Sequence, residues 1–238
     1  MNKKVILITG GAKGIGREIV SFFASKNYNI VFTYNTSYEL SKKIVNEIKE
    51  KYQIEINNIK CDLCQEEDII NLYNFVKNKY SKIDILVNNA AVSMDSHFLD
   101  KTKEEFMKVL ETNLVGTFLM IKYFDELVNG YIFNISSTDS IDTGSIYNID
   151  YSASKAGINN LTKIISLYSK NKIISICPNW VNTESVMEMN PEYLENELKR
   201  VGQKKLINPS MISKTIYDLV ISDVKTGEII RIDGDIDE

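Results

Sequence analysis

The stretch Val5-Ile6-Leu7-Ile8-Thr9-Gly10-Gly11-Ala12-Lys13-Gly14-Ile15-Gly16 decides how the rest of the chain is read. Val5 to Ile8 is a short, unbroken apolar run, suited to a strand buried on both faces. The glycines then permit a tight turn, and Ile15, Ile19, Val20 and Phe23 follow at helical spacing. A glycine turn between a buried strand and an amphipathic helix lets backbone amides approach a pyrophosphate, whose charge sits at the helix N-terminus. The glycines fall at Gly10, Gly14 and Gly16, with three residues between the first pair, not as G-x-G-x-x-G. A plain glycine-rich turn is the bland alternative; the placement argues for nucleotide binding.

Outward from this turn, strand-like and helix-like stretches alternate. Asn29 to Tyr34 reads as a second strand, and Thr36 or Ser37 can cap a helix through Leu40, Ile44, Val45 and Ile48. Ile54 to Cys61 is a third strand, Gln65 to Tyr80 a helix, and Ile83 to Val87 a fourth strand. Lys103 to Val128 reads as two helices meeting near Thr112-Asn113, before Gly130 opens a fifth strand over Tyr131 to Ile135. Tyr151 to Ser169 is helical, Lys172 to Cys177 a sixth strand ended by Pro178, and Thr183 to Lys205 a polar segment with helical tendency. Pro209 to Ile221 and Glu228 to Ile232 complete the pattern as helix and strand. Such alternation predicts an α/β fold: a doubly wound parallel sheet of about seven strands, helices on both faces, right-handed crossovers. No linker, repeat or low-complexity tract divides it, so residues 1–238 are expected to form a single domain.

Composition fits a soluble globular protein, with 44% hydrophobic and 25% charged residues. A net charge of -4 and the lack of a basic run give nucleic-acid or anionic-membrane binding no electrostatic support. The apolar run after Met1-Asn2-Lys3-Lys4 stops at Thr9, too short for a signal h-region or a membrane span. A cytoplasmic protein is the expectation. Cys61 and Cys64 form a C-x-x-C, but a structural zinc needs four ligands and only Cys177 and His97 remain. The pair reads as incidental, and no metal is expected. His97 is assigned no role.

Tyr151-Ser152-Ala153-Ser154-Lys155 holds the second chemical signal. Tyr151 and Lys155, four apart on a helix, share one face. An ammonium beside a phenol favours the phenolate, which brings the tyrosine toward working pH as an acid or base. Surface helices carry the same pair without function, so its meaning rests on the rest of the chain.

Taken with the glycine spacing, this pair resembles the short-chain dehydrogenase/reductase family, and the likeness continues in chain order. Cys61-Asp62-Leu63, Asn88-Asn89-Ala90-Ala91 (with alanine for the last glycine of N-N-A-G), Asn113-Leu114-Val115-Gly116, Asn134-Ile135-Ser136-Ser137 and Thr226-Gly227-Glu228 to Asp233-Gly234 each match a family segment. The resemblance implies a Rossmann-type fold and the following roles. Tyr151 exchanges a proton with the substrate oxygen, Ser137 holds that oxygen, and Lys155 tunes Tyr151 and binds the nicotinamide ribose. Asn113 holds a relay water. Gly10, Ala12, Lys13, Gly14, Ile15 and Gly16 form the pyrophosphate turn, and Tyr34, Asn35, Thr36 and Ser37 meet the adenosine ribose. Asp62 and Leu63 meet the adenine; Asn89, Ala90 and Ala91 line the cofactor. Pro178, Asn179, Val181 and Thr183 lie on the nicotinamide side.

The chain departs from the family in places. Thirteen residues usually separate the serine from the tyrosine, and that count from Tyr151 lands on Thr138. Ser137 is preferred because it ends the N-I-S-S strand, with one residue inserted between Asp139 and Asp150; Thr138 is the alternative. Asn179 replaces the glycine of P-G, and an asparagine at positive φ would preserve the turn. No acid follows the second strand until Glu39, and Lys13 precedes Gly14, so NADP(H) is favoured over NAD(H) as cofactor. The residues from 183 to 205 are expected to cover a carbonyl substrate, a small molecule or an acyl thioester, as in the bacterial 3-oxoacyl-acyl-carrier-protein reductases. A homotetramer or homodimer is implied, paired through the helices bearing Phe118, Met120 and Ile121 and bearing Ile158, Leu161 and Ile165. The contrasting expectation is a catalytically silent dinucleotide-binding redox sensor or oligomeric scaffold.

Overall fold

The computed structural model describes residues 3–234; Met1, Asn2 and residues 235–238 lie outside them. Seven strands form one parallel sheet: β1 (Val5–Ile8), β2 (Asn29–Tyr34), β3 (Ile56–Lys60), β4 (Ile83–Asn88), β5 (Val128–Ile135), β6 (Lys172–Pro178) and β7 (Ile229–Ile232). Their order across the sheet is β3-β2-β1-β4-β5-β6-β7. The chain runs outward from β1 to one edge, then returns to β4 and continues to the other. Between β1 and β4 the crossovers diverge, which opens a crevice at the carboxyl ends of the strands.

The helices are α1 (Gly14–Ser25), α2 (Tyr38–Lys51), α3 (Glu66–Tyr80), α4 (Lys103–Leu110), α5 (Gly116–Phe124), α6 (Ile149–Ile165), α7 (Glu184–Met187), α8 (Pro191–Arg200) and α9 (Pro209–Ile221). Side chains alternate across each strand, so β1 divides its apolar residues between two cores. Ile6 and Ile8 join Ile19, Phe23, Ile44 and Ile212 on the face covered by α1, α2 and α9. Val5 and Leu7 join Leu72, Val76, Met120 and Phe124 on the face covered by α3 and α5. Fully buried strands have no polar face, which is why their sequences are continuous apolar runs. No helix among the described residues is long and apolar enough to cross a membrane.

Several boundaries differ from the sequence pattern. Strand β5 begins at Val128, which pairs with Ile83 across a register shift, so the helical stretch ends at Phe124 and not at Val128. The asparagine and glycine at 129 and 130 lie within the strand, where a Cβ on Gly130 would stand 2.6 Å from the Asp84 carbonyl oxygen. The expected break near Thr112-Asn113 is a π-helical turn, Glu111–Val115, joining α4 to α5. Beyond β6, Asn179 is not among the residues with positive φ. The turn there is held by Gln203 instead, which accepts from Trp180 N–H at 3.0 Å and donates to Trp180 C=O at 2.8 Å.

A buried polar ladder crosses the sheet beneath the crevice. Asn88 Nδ2 donates to Asn134 Oδ1 at 2.9 Å, and Asn134 Nδ2 to Thr162 Oγ1 at 2.9 Å. Thr162 and Ser175 hydroxyls meet at 2.8 Å. The ladder joins β4, β5, α6 and β6.

Candidate active site

The crevice is a cleft of about 800 Å³ over the carboxyl ends of the strands. Its nucleotide end is shaped by backbone. Gly10 (φ 67°) and Gly14 (φ 49°) adopt left-handed conformations open to glycine. At Gly16 a Cβ would fall 2.2 Å from the Gly10 carbonyl oxygen, so only glycine lets α1 start this close to the turn. Neighbouring strands clip the turn in place. Asn89 Nδ2 donates to the Thr9 and Gly10 carbonyls at 3.0 and 3.1 Å, while Thr9 Oγ1 accepts from Asn89 and Ala90 N–H at 2.9 and 3.0 Å. Gly10 N–H donates to Thr33 Oγ1 at 3.1 Å. Lys13, Tyr34, Asn35, Thr36, Ser37, Asp62 and Leu63 line this end together with Ala12, Gly14 and Ile15. Burial pushes the Asp62 carboxyl up, but hydrogen bonds from Cys64 and Asn35, with Lys108 nearby, outweigh it and leave the group below its ordinary range.

The catalytic end is built from side chains on α6 and on the loops that follow β4, β5 and β6. Helix α6 carries Tyr151 and Lys155 on one face, toward the end of β5. Ser137 lies close enough to the Tyr151 hydroxyl to favour its ionised form, and its Oγ accepts from Asp139 N–H at 3.1 Å. Thr138, the alternative by counting, is fully buried and accepts from Thr143 Oγ1 at 2.7 Å; it does not line the cleft. Lys155 Nζ donates to the Ile135 carbonyl at 2.7 Å and lies 5.3 Å from the centre of the Tyr151 ring.

The ionisation pattern corrects one expectation. Burial raises the Tyr151 phenol above its usual range, and the Asp139 and Asp95 carboxylates raise it further; Ser137 opposes them. Lys155, held by the Ile135 carbonyl, does not reverse this. Burial also pushes Lys155 down, to about 8, against the fields of Cys177 and Asp139. The phenol is therefore held protonated at neutral pH, a form that can give a proton but not take one.

Of the residues singled out in the sequence, Asn89, Ala90, Ala91, Pro178, Asn179, Val181 and Thr183 also line the cleft, while Gly16 and Asn113, like Thr138, do not. Asn113 is fully buried in the π-helical turn. Its Oδ1 accepts from Val92 N–H at 2.8 Å, and its Nδ2 donates to Val92 C=O and Ser154 Oγ at 2.9 and 3.1 Å. The Asn113 side chain thus ties the loop after β4 to helix α6.

The structure also brings in residues that spacing did not mark. Lys108 and Thr112 border the nucleotide end, and Lys108 Nζ lies 3.5 Å from Cys64 Sγ. Glu184, at the start of α7, accepts from Gly14 N–H at 3.1 Å and lies 3.7 Å from Arg17. At the other end Asp95, Asp139 and Asn148 line the wall. A buried ion pair, Lys101 Nζ to Asp150 Oδ2 at 2.9 Å, links the loop after β4 to the first turn of α6, with side chains 2% and 0% exposed. Asp150 Oδ2 has no other partner, while Oδ1 accepts from Tyr151 N–H at 2.9 Å. None of these follows a short motif. Each depends on loops that meet only in the folded chain, although the acid at 150, beside Tyr151, was a visible cue.

The residues present fit a dinucleotide. The glycine turn presents N–H groups at the N-terminus of α1, and Asn179 Nδ2 at the far end is buried without a partner. Comparisons with known proteins agree with this geometry. A model of the short chain dehydrogenase family matches residues 4–194. The chain is 30% identical over 240 residues to the 3-oxoacyl-[acyl-carrier-protein] reductase FabG of Aquifex aeolicus, covering 97% of this chain and 96% of that protein. Identity to the protein of the same name from Thermotoga maritima is 29%, with coverage of 97% and 96%. A dehydrogenase/reductase crystal structure from Sinorhizobium meliloti superposes with a TM-score of 0.90 at 23% identity, over 98% of this chain and 95% of that one. The sheet order, the glycine turn and the Ser137–Tyr151–Lys155 cluster thus have a common explanation: the chain belongs to the short chain dehydrogenase family.

Proposed function

We propose that the protein is an NADP(H)-dependent reductase that converts a ketone or a 3-oxoacyl group to the alcohol. The observation that carries this reading is the grouping of Tyr151, Ser137 and Lys155 on the wall at one end of a dinucleotide cleft. Bound nicotinamide supplies the hydride. Tyr151 Oη gives its proton to the carbonyl oxygen, and Ser137 Oγ donates a hydrogen bond to that oxygen as negative charge develops. Lys155, held by Ile135 C=O, presents its remaining N–H donors to the ribose hydroxyls and helps restore the tyrosine proton. Asn113 serves the relay.

NADP(H) is favoured over NAD(H) because Lys13 and the polar groups of Asn35, Thr36 and Ser37 border the ribose region, while Glu39 does not line the cleft. Asp62, the carboxylate at this end, is held by Cys64 and Asn35. The residues from 183 to 205 cover the substrate through α7 and α8, with Val186, Met189 and Tyr193 as lining. The relatives named 3-oxoacyl-[acyl-carrier-protein] reductase make acyl thioesters one candidate substrate. Assembly as a homodimer or homotetramer is proposed through α5 and α6. Met120, Ile121 and Ile158 are spent on the core, so the outward surface is Val115, Phe118, Ile164, Leu167 and Tyr168. The free thiols of Cys61, Cys64 and Cys177 accord with a cytoplasmic setting.

The test is NADPH oxidation with a panel of ketones and β-keto thioesters, using wild type and Tyr151→Phe. The variant should bind NADPH as wild type does, by fluorescence titration, and lose turnover by a factor of at least about a hundred. Equal turnover would remove Tyr151 from the mechanism. NADH run in parallel checks the cofactor, and a clear preference for NADH would reverse that assignment.

A further inference from the structure

Two carboxylates, Asp95 and Asp139, line the reacting end of the cleft. Asp139 lines the wall beside Tyr151, one residue beyond the Ser137-Thr138 pair. Its Oδ1 accepts from Thr143 Oγ1 at 2.8 Å and its Oδ2 from Asn148 Nδ2 at 3.0 Å. A carboxylate oxygen accepts two hydrogen bonds, so each retains an open lone pair. Asp95 lies on the opposite loop, fixed by Ser93 Oγ at 2.6 Å. The fields of both carboxylates reach the Tyr151 phenol, and Asp139 also acts on Lys155. Among the described residues lining the cleft, Lys13 and Lys108 stand at the nucleotide end, while Lys155 is tied to Ile135 C=O. Arg200, the neighbouring guanidinium, donates to both Glu197 oxygens at 2.7–3.2 Å and to Thr143 C=O at 2.7 Å.

Resting on the reductase reading above, we propose that this end selects ketones bearing a hydrogen-bond donor, a hydroxyl or an ammonium, next to the carbonyl, and turns away anionic ones. Reduction builds negative charge on the carbonyl oxygen, and Asp139 opposes that charge across a partly desolvated gap. A donor on the adjacent carbon satisfies an Asp139 lone pair and offsets the repulsion. A plain alkyl group leaves the carboxylate unpaired against it. A carboxylate or phosphate adds like charge beside Asp139 and Asp95.

Small ketones matched in size decide the matter: hydroxyacetone, aminoacetone, butanone, acetoacetate and the N-acetylcysteamine thioester of acetoacetate, each followed by NADPH oxidation. Hydroxyacetone or aminoacetone should exceed butanone in kcat/KM by about tenfold or more, with acetoacetate lowest. Asp139→Asn should shrink the donor advantage and raise acetoacetate, and its larger effect on either aminoacetone or hydroxyacetone tells which donor is read. Asp95→Asn, on an exposed loop, should shift the ranking the same way to a smaller extent, and serves if the first variant folds poorly. Wild-type preference for butanone, acetoacetate or the thioester overturns the inference while leaving the reductase intact. So does an unchanged ranking in both variants. Absence of turnover with every ketone overturns the reductase reading and this inference together.

Discussion

The two ends of the cleft are built by different means. The nucleotide end rests on main chain: a glycine turn, clipped by Thr9, Thr33 and Asn89, in which space and φ leave no choice of residue. The catalytic end rests on side chains brought from the loops after β4, β5 and β6 and from helices α6 and α8, several of them ionisable. Backbone sites tolerate change in their surroundings and fail sharply when a glycine gains a Cβ. Side-chain sites respond to charge and pH.

Breaking the Lys101–Asp150 pair should have the largest effect on stability. Lys101→Met leaves the Asp150 carboxylate buried alone at the start of α6, at a cost of about 3–5 kcal/mol by denaturant unfolding. Adding Asp150→Asn should recover most of that loss; no recovery would show that the lysine acts by packing. At the other end Gly16→Ala should weaken NADPH binding by about a hundredfold or more, because the new methyl meets the Gly10 carbonyl at 2.2 Å. Fluorescence titration reads this directly, and near-normal affinity would mean that the turn yields where the geometry says it cannot.

The next difference lies in pH. Lys155 falls to about 8 in the folded protein and sits near 10.4 when unfolded. Between these values the unfolded chain binds the extra proton, so stability rises with pH from 8 toward 10. Below 8 the full burial cost is present. The rise should be on the order of 1–3 kcal/mol and vanish in Lys155→Met, as denaturant midpoints across that window will show. Tyr151 works in the opposite sense only above pH 10, since its folded pKa is raised. The smallest effect is expected at Glu184, whose carboxylate takes the Gly14 N–H at the start of α1. A cofactor phosphate and this carboxylate favour the same helix terminus, so Glu184→Gln should tighten NADPH binding by roughly two- to fivefold. Weaker binding would make Glu184 a support for the turn and not a competitor.

The same contrast explains what the sequence revealed. Strands buried on both faces must be apolar runs, so Val5–Ile8 and Ile83 onward were legible, and with them the layered α/β plan. The glycine turn was legible because sterics restrict it to few spellings. Ser137, Tyr151 and Lys155 were legible as a motif, but the ionisation of Tyr151 was not, since burial and two distant carboxylates govern it. Asp95, Lys101 and Asp139 carry no local motif, and the partner that Lys101 finds in Asp150 comes from another segment. The onset of β5 at Val128 was hidden because Asn129-Gly130 reads as a breaker until the pairing with β4 is seen.

The polar ladder from Asn88 through Asn134 and Thr162 to Ser175 sets how finely helix α6 is placed. Oily faces can slide past one another by fractions of a turn with little penalty. A hydrogen bond in a dry interior allows no such drift: shift the helix, and Asn134 and Ser175 lose Thr162 at once. The helix carrying Tyr151 and Lys155 is therefore indexed to the sheet like a notch in a ratchet.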